Sequence, residues 1–327
     1  MPITSEEIVW SYRLLLGREA TQAELHTWRN VPSIQEMRRL CLLSDEFRSG
    51  LERSLAASVA SAASKQHQPR VNLELPPQDV EWRTDAATQA RLIDHVMKTW
   101  TKLGQEKPHW SVLSAEQFLP DRIEETRSNF YASGAGDVNR ITTALKRHGK
   151  SPEQMRRVVE FGCGVGRVTP HLAKSFAEVV GIDISSSHLD MAREAASSAG
   201  AANTRFVLAR APDFGMYGPF DLWFSYIVLQ HNPPPVIALV LRRALGLLAP
   251  GGFAMFQVPT YASNYRHVVA DYLGKPTETG TIEMHCLPQN VIFSIAAEAG
   301  CRLLEVREDT AAGPPQYWLS NTFIFTK

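Results

Sequence analysis

The chain has 327 residues, 44% of them apolar and 21% charged, the balance of an ordinary globular protein long enough for two domains. Lys and Arg number 34 together, as do Asp and Glu, so the formal net charge is zero. That leaves no basic excess to track a phosphate backbone or an anionic membrane surface, and no nucleic-acid partner is expected.

The first predicted elements are helical. Ser5 followed by Glu6 and Glu7 reads as a helix start with acids in its first turn, and Gly17 as its stop. Thr21 with Glu24 has the spacing of a capping box for a second helix, and a third runs from Ser33 to Leu43. The stretch Tyr12-Arg13, Leu15 to Arg18, Trp28, and Ser44, Glu46, Phe47 and Arg48 resembles a small helical family of unestablished role in bacterial proteins, with Ala20 where that family has Pro. The resemblance implies a structural or docking module over residues 1–52, with a protein or polymer as its partner. Residues 53–80 shift from Ala and Ser to Gln, His and Pro and read as a linker. Residues 81–150 read as a helical cap or lid: a long amphipathic helix over Asp85–Leu103, a loop at Pro108-His109-Trp110, then helices over Ile123–Phe130 and Asp137–His148, parted by Ser133-Gly134-Ala135-Gly136.

From residue 151 to 327 the pattern becomes strand–helix alternation. Short apolar strands are predicted at Val158–Phe161, Val179–Asp183, Arg205–Leu208, Phe220–Tyr226 and Phe253–Val258. Helices fall between them, at Thr169–Phe176, Leu189–Ala199 and Val236–Leu248. Continuous apolar strands of this kind belong to a mostly parallel sheet covered on both faces. After a helix at Gln289–Ala299, the strands Arg302–Glu308 and Thr322–Phe325 have no helix between them and are expected to pair antiparallel.

The chemistry concentrates at Glu160-Phe161-Gly162-Cys163-Gly164-Val165-Gly166-Arg167, a strand running through glycines into a helix. Glycines permit a tight turn and close ligand approach, and a helix N-terminus favours negative groups such as a carboxylate. Arg167 stands where a dinucleotide fingerprint has its third glycine, and Glu160 would repel a pyrophosphate but suits an ammonium. Asp183 lies 21 residues after Gly162, the spacing of an acid that holds ribose hydroxyls. Phe220-Asp221 to Tyr226, then Val228 to His231, and Leu248-Ala249-Pro250-Gly251-Gly252 follow in order.

This ordered set resembles the class I S-adenosylmethionine-dependent methyltransferases. The resemblance implies a doubly wound, Rossmann-like α/β fold with a seven-stranded sheet and an antiparallel last strand. It implies S-adenosylmethionine as cofactor, contacted by Glu160, Gly162, Cys163, Gly164, Gly166, Asp183 and Ile184, with Tyr226 and Leu229 beyond the fourth strand. After the third strand many members have Gly-Asp-Ala, whose Asp meets adenine; here Ala209-Arg210-Ala211 stands instead, and Arg210 cannot accept a hydrogen bond, so backbone at Arg210 and Ala211, or Asp213, is expected to serve. Tyr131, preceding the domain, resembles a tyrosine that covers the cofactor in related enzymes. Asn232-Pro233-Pro234 reads as a helix start and not as the motif of nucleic-acid amine methylation.

A hydroxyl acceptor needs a base, for which His231 and then His285 are the candidates. Pro108-His109-Trp110 and the Ser320-Asn321-Thr322 ending resemble methyltransferases of bacterial glycan or surface-polysaccharide assembly, which implies a sugar or glycan hydroxyl as the acceptor. The alternatives are a small natural product, a non-catalytic binding module and, last, a nicotinamide-dependent oxidoreductase. Cys41, Cys163, Cys286 and Cys301 form no C-x-x-C pair, so neither a metal nor a disulfide framework is expected. An acidic, mixed N-terminus and the lack of any bilayer-length apolar run point to a cytoplasmic protein without membrane insertion.

Overall fold

The computed structural model describes residues 3–49, 76–275, 280–314 and 317–327. The chain forms two compact units, Met1–Pro69 and Arg70–Lys327. The linker expected over 53–80 lies almost wholly outside the described residues.

In the first unit, α1 (Ser5–Leu16), α2 (Gln22–Trp28) and α3 (Ile34–Leu43) enclose a core of Ile8, Tyr12, Met37 and Cys41. The first helix starts at Ser5 as expected, and Thr4 is its cap. Thr4 Oγ1 accepts from the Glu7 N–H while the Glu7 carboxylate accepts from the Thr4 N–H, the reciprocal arrangement that Thr21 and Glu24 make at α2. The signature residues hold one another: Trp28 Nε1 donates to Tyr12 Oη at 2.7 Å, and Arg18 bridges Glu24 and Glu46.

The second unit is built on a seven-stranded sheet in the order β3-β2-β1-β4-β5-β7-β6. Its strands are β1 (Arg157–Phe161), β2 (Glu178–Asp183), β3 (Thr204–Leu208), β4 (Phe220–Ser225), β5 (Leu248–Ala262), β6 (Arg302–Asp309) and β7 (Trp318–Thr326). The first five pair parallel, and β7 is antiparallel to both β5 and β6. The sheet runs outward in one direction through β2 and β3 and in the other through β4 and β5. The order therefore reverses between β1 and β4, the crevice where open α/β sheets take ligands.

Helices cover both faces. On one, α4 (Ala86–Glu106), α10 (Pro234–Gly246) and α12 (Gln289–Glu298) pack on Val159, Val180, Trp223 and Phe256. On the other, α7 (Gly134–Arg147) and α8 (Thr169–Ala173) pack on Val158, Val179, Leu222 and Phe253. Three expectations change. Pro108-His109-Trp110 opens a short helix, α5 (Pro108–Val112), because proline at N1 fits a first turn. The expected 133–136 loop shrinks to a break at Ser133 between α6 (Ile123–Ala132) and α7, where Gly134 lets the chain pass against the Arg167 carbonyl; a Cβ there would lie 2.0 Å from it. The fifth strand extends to Ala262, since pairing with β7 continues beyond its apolar run. The helices α9 (Ser186–Ser198) and α11 (Val269–Gly274) complete the unit as described.

Candidate functional site

β1 leads into a bend in which Gly162, Gly164 and Gly166 all have positive φ, at 77°, 52° and 78°. Each does so against a neighbour that leaves no room for a side chain. A Cβ on Gly162 would meet Val228 at 2.4 Å, and one on Gly164 would meet Val112 at 2.6 Å. On Gly166 it would meet Ala192 Cα at 2.8 Å. The bend's own N–H groups are occupied: those of Gly162 and Cys163 go to Ile182 O, that of Gly164 to the Asp183 carboxylate and that of Gly166 to Cys163 O. The glycines thus supply space, and the backbone donors expected for a ligand's carboxylate are taken at these four positions.

Beside this bend opens a cleft, partly open to solvent, whose outline encloses about 1090 Å³ with the open solvent included. Glu160 and Asp183 both line it, as do Gly162, Cys163, Gly164, Ile184, Tyr226 and His231. Gly166 stands outside the wall, against α9. Tyr131 packs away with His109 and Phe130, its hydroxyl 3.3 Å from His109 Nε2. Arg210 and Ala211 are solvent-exposed, and Leu229 is buried in the core behind Val228. Asp213, the alternative for adenine, is engaged with the Gly215 N–H and the Tyr217 hydroxyl. The segment after β3 contributes Ala209 and Phe214 to the cavity instead.

The two acids differ in charge state. Burial pushes the Glu160 carboxyl up to about 8, against a single 2.6 Å hydrogen bond from Thr169 Oγ1. Burial also works against Asp183 in its charged form. There it is outweighed by His188 and by the N–H groups of Ser185 and Gly164, each at 2.9 Å, and the carboxyl lies below its usual value. Arg167 reaches the cavity wall from the bend. Its terminal nitrogens are held by Asp137 at 2.5 Å and Ser133 at 3.1 Å, while its buried Nε has no hydrogen-bond partner.

His231 borders the same space. Its Nδ1 donates to Glu283 O at 2.8 Å, its Nε2 lies 3.2 Å from Gln230 Nε2, and the Trp100 ring sits 5.4 Å away. Burial lowers its pKa to about 4, so the ring is neutral at neutral pH. His285 is not on the wall. It stands one layer back, between Glu283 Oε2 at 3.1 Å and Tyr265 Oη at 2.9 Å, and its backbone N–H donates to Gln230 O. Sequence reasoning missed Trp100, Ser111, Val112, His188 and Phe214, all on the wall. They come from separate segments and carry no motif.

Residues 158–252 match the methyltransferase domain family. Over that stretch the α/β unit carries a methyltransferase domain. The methyltransferase domain is 36% identical over 117 residues to trans-aconitate 2-methyltransferase of Methylobacterium radiotolerans, covering 35% of this chain and 42% of that one. It is 32% identical over 110 residues to a ubiquinone biosynthesis O-methyltransferase of Paracidovorax citrulli, covering 33% and 45%. The match thus spans less than half the length of either relative. In fold it is similar to magnesium protoporphyrin IX methyltransferase of Synechocystis, solved with bound SAH, at 17% identity and a TM-score of 0.50 over 72% of this chain and 99% of that one. Among the described residues no helix is long and apolar enough to cross a membrane, and no cluster of His, Cys, Asp and Glu is arranged to hold a metal.

Proposed function

We propose that this protein transfers the methyl group of S-adenosylmethionine to a hydroxyl of a neutral acceptor. The observation that carries the reading is one cavity, beside a glycine-rich bend, lined by two buried carboxylates of unlike character. Asp183, charged, holds the ribose hydroxyls. Glu160 takes the ammonium of the methionine moiety, and Arg167 Nε, buried without a partner, offers the donor its carboxylate needs. Ala209, Phe214 and Ile184 supply apolar surface for the adenine ring.

Bound S-adenosylmethionine supplies an activated methyl group on a sulfonium. What the chain contributes is positioning of an acceptor in line with it, exclusion of water, and a site for the acceptor's proton. His231 Nε2 is unprotonated throughout the neutral range and is assigned that last task, taking the acceptor's proton in place of the hydrogen bond from the Gln230 amide. The ionisable groups on the wall are already engaged: Arg167 with Asp137, His188 with Asp183, and Glu160 with the ammonium. An acceptor without net charge suits such a wall, and Trp100 offers a flat apolar face for a ring. A sugar or glycan hydroxyl fits this description, as does a hydroxyl of a small natural product. The O-methyltransferase among the relatives supports oxygen as the acceptor atom.

Incubating the protein with S-adenosylmethionine and fractionated extract should yield S-adenosylhomocysteine together with a compound one methyl group heavier. Production of neither would remove the reading. His231→Ala is expected to lower kcat about 10²-fold, the usual scale of a lost proton acceptor. The wild-type rate should show no inflection at the ordinary histidine pKa; an inflection there, lost in His231→Ala, would show a ring that ionises and contradict the neutral assignment.

Cofactor affinity should pass through a maximum near pH 8. Below that value Glu160 is protonated and must release its proton to meet the ammonium, so affinity falls up to about tenfold per pH unit. Above it the amine itself loses its charge, at about 7.7–8.0 for an α-amino group. Calorimetry in buffers of different ionisation enthalpy would register one proton released at pH 7. Binding with no proton exchange would contradict the pairing.

A further inference from the structure

Three contacts bring the helices α4 and α5 onto the ribose-binding end of the cavity, and they form a closed circuit. Gly104, near the end of α4, lies against the start of α9: a Cβ there would stand 2.3 Å from Ser185 Oγ and 3.3 Å from the His188 ring. Val112, at the end of α5, lies over Gly164. Between them Ser111 Oγ is 3.0 Å from His188 Nε2, and His188 Nδ1 is 3.4 Å from Asp183 Oδ1. All three side chains are buried, with His188 at 1% exposure. The circuit closes through the Gly164 N–H, which donates to Asp183 Oδ2.

The donors can be assigned along this chain. Ser111 Oγ gives its hydrogen to Pro108 O at 2.8 Å, so it accepts from His188 Nε2. Asp183 accepts from Nδ1. With both ring nitrogens engaged, His188 joins a helix of the cavity's cover to the carboxylate of Asp183. It is not placed to touch the acceptor, because neither ring nitrogen is free.

We propose that His188 is a positioning residue that clamps α5 across the cofactor cavity through Ser111 and holds the same Asp183 carboxylate that takes the ribose, so that cofactor binding and closure of α5 are coupled. The coupling rests on the ribose role of Asp183; the clamp does not. An Asp183 held by His188 is oriented for the ribose hydroxyls, and a ribose that fixes Asp183 in turn fixes His188 and α5.

The test combines hydrogen–deuterium exchange over residues 108–113 with calorimetric titration of S-adenosylhomocysteine, on the full chain. The variants are Ser111→Ala, His188→Asn and the double replacement. Asn keeps an N–H near the Nδ1 position for Asp183 but cannot reach Ser111. Exchange over 108–113 should quicken about tenfold in the free protein of each variant, the scale of one lost buried hydrogen bond. S-adenosylhomocysteine should bind about tenfold more weakly to each, and the double variant should be no worse than either single one, because both cut the same link. Unchanged exchange in both single variants would overturn the clamp. Faster exchange with undiminished affinity would reduce it to packing and overturn the coupling. If the wild-type protein binds no S-adenosylhomocysteine, the ribose assignment fails and the coupling with it, whereas faster exchange in His188→Asn would still establish the clamp. Thermal unfolding of each variant separates these outcomes from general loss of fold.

Discussion

Asp183→Asn is expected to weaken cofactor binding about 10³-fold while leaving the protein folded. The carboxylate sits at the end of β2 with one oxygen on the Gly164 N–H and the other on the Ser185 N–H. An amide has one acceptor and one donor end, so whichever way Asn turns, its NH₂ faces a buried N–H. Such a mismatch costs about 1–3 kcal/mol. The bonds a ribose would make to a charged acceptor, each about 1.5–3 kcal/mol, are weakened as well. The mismatch weighs on the folded protein with and without cofactor; the loss of two such ribose bonds comes to roughly 4 kcal/mol, or three decades in Kd. Calorimetric titration measures it directly, and a Kd within a few-fold of the wild-type value would remove Asp183 from the site.

The second large effect falls on stability. Gly166→Ala is expected to destabilise the α/β unit by about 2–4 kcal/mol. Gly166 has φ 78°, which costs an L-residue about 1–2 kcal/mol, and its new methyl would stand 2.8 Å from Ala192 Cα and 3.2 Å from Ala192 O. The obstacle is the backbone of α9, which cannot rotate aside as a side chain does. Gly149→Ala is the matching control: φ is 68° and nothing lies within 4 Å of the added carbon, so only the conformational strain remains, about 1 kcal/mol. Denaturant unfolding of both variants should separate them by at least 1 kcal/mol. Equal losses would mean that the approach of the bend to α9 is not what fixes this glycine.

The contrast between Gly166 and Gly162 shows what the sequence could convey. Three glycines spaced by single residues announce a bend, and Glu160 and Asp183 announce two acids at neighbouring strand ends, because these depend on local order and on strand–helix alternation. The antiparallel pairing of β7 was legible for the same reason: no helix separates the last two strands. Which glycine faces a ligand and which faces a helix depends on where α9 and α5 come to rest, and that is a matter of packing. The same holds for the wall. Trp100 is one apolar residue among several on α4, and Ser111 and His188 are 77 positions apart. Phe214 enters the cavity after β3, where the family pattern directed attention to Arg210 and Ala211. His285 looked equivalent to His231 by residue type, but only His231 reaches the cavity wall.

The account stands on one cavity holding the charged amino-acid tail and the sugar of a sulfonium nucleoside between Glu160 and Asp183. A calorimetric titration of the full chain with S-adenosylmethionine at pH 8 tests this most directly. The account predicts saturable binding at one site per chain, reduced about 10³-fold by Asp183→Asn. An absence of binding heat with the wild-type protein, across temperatures that exclude an accidental null, would contradict it.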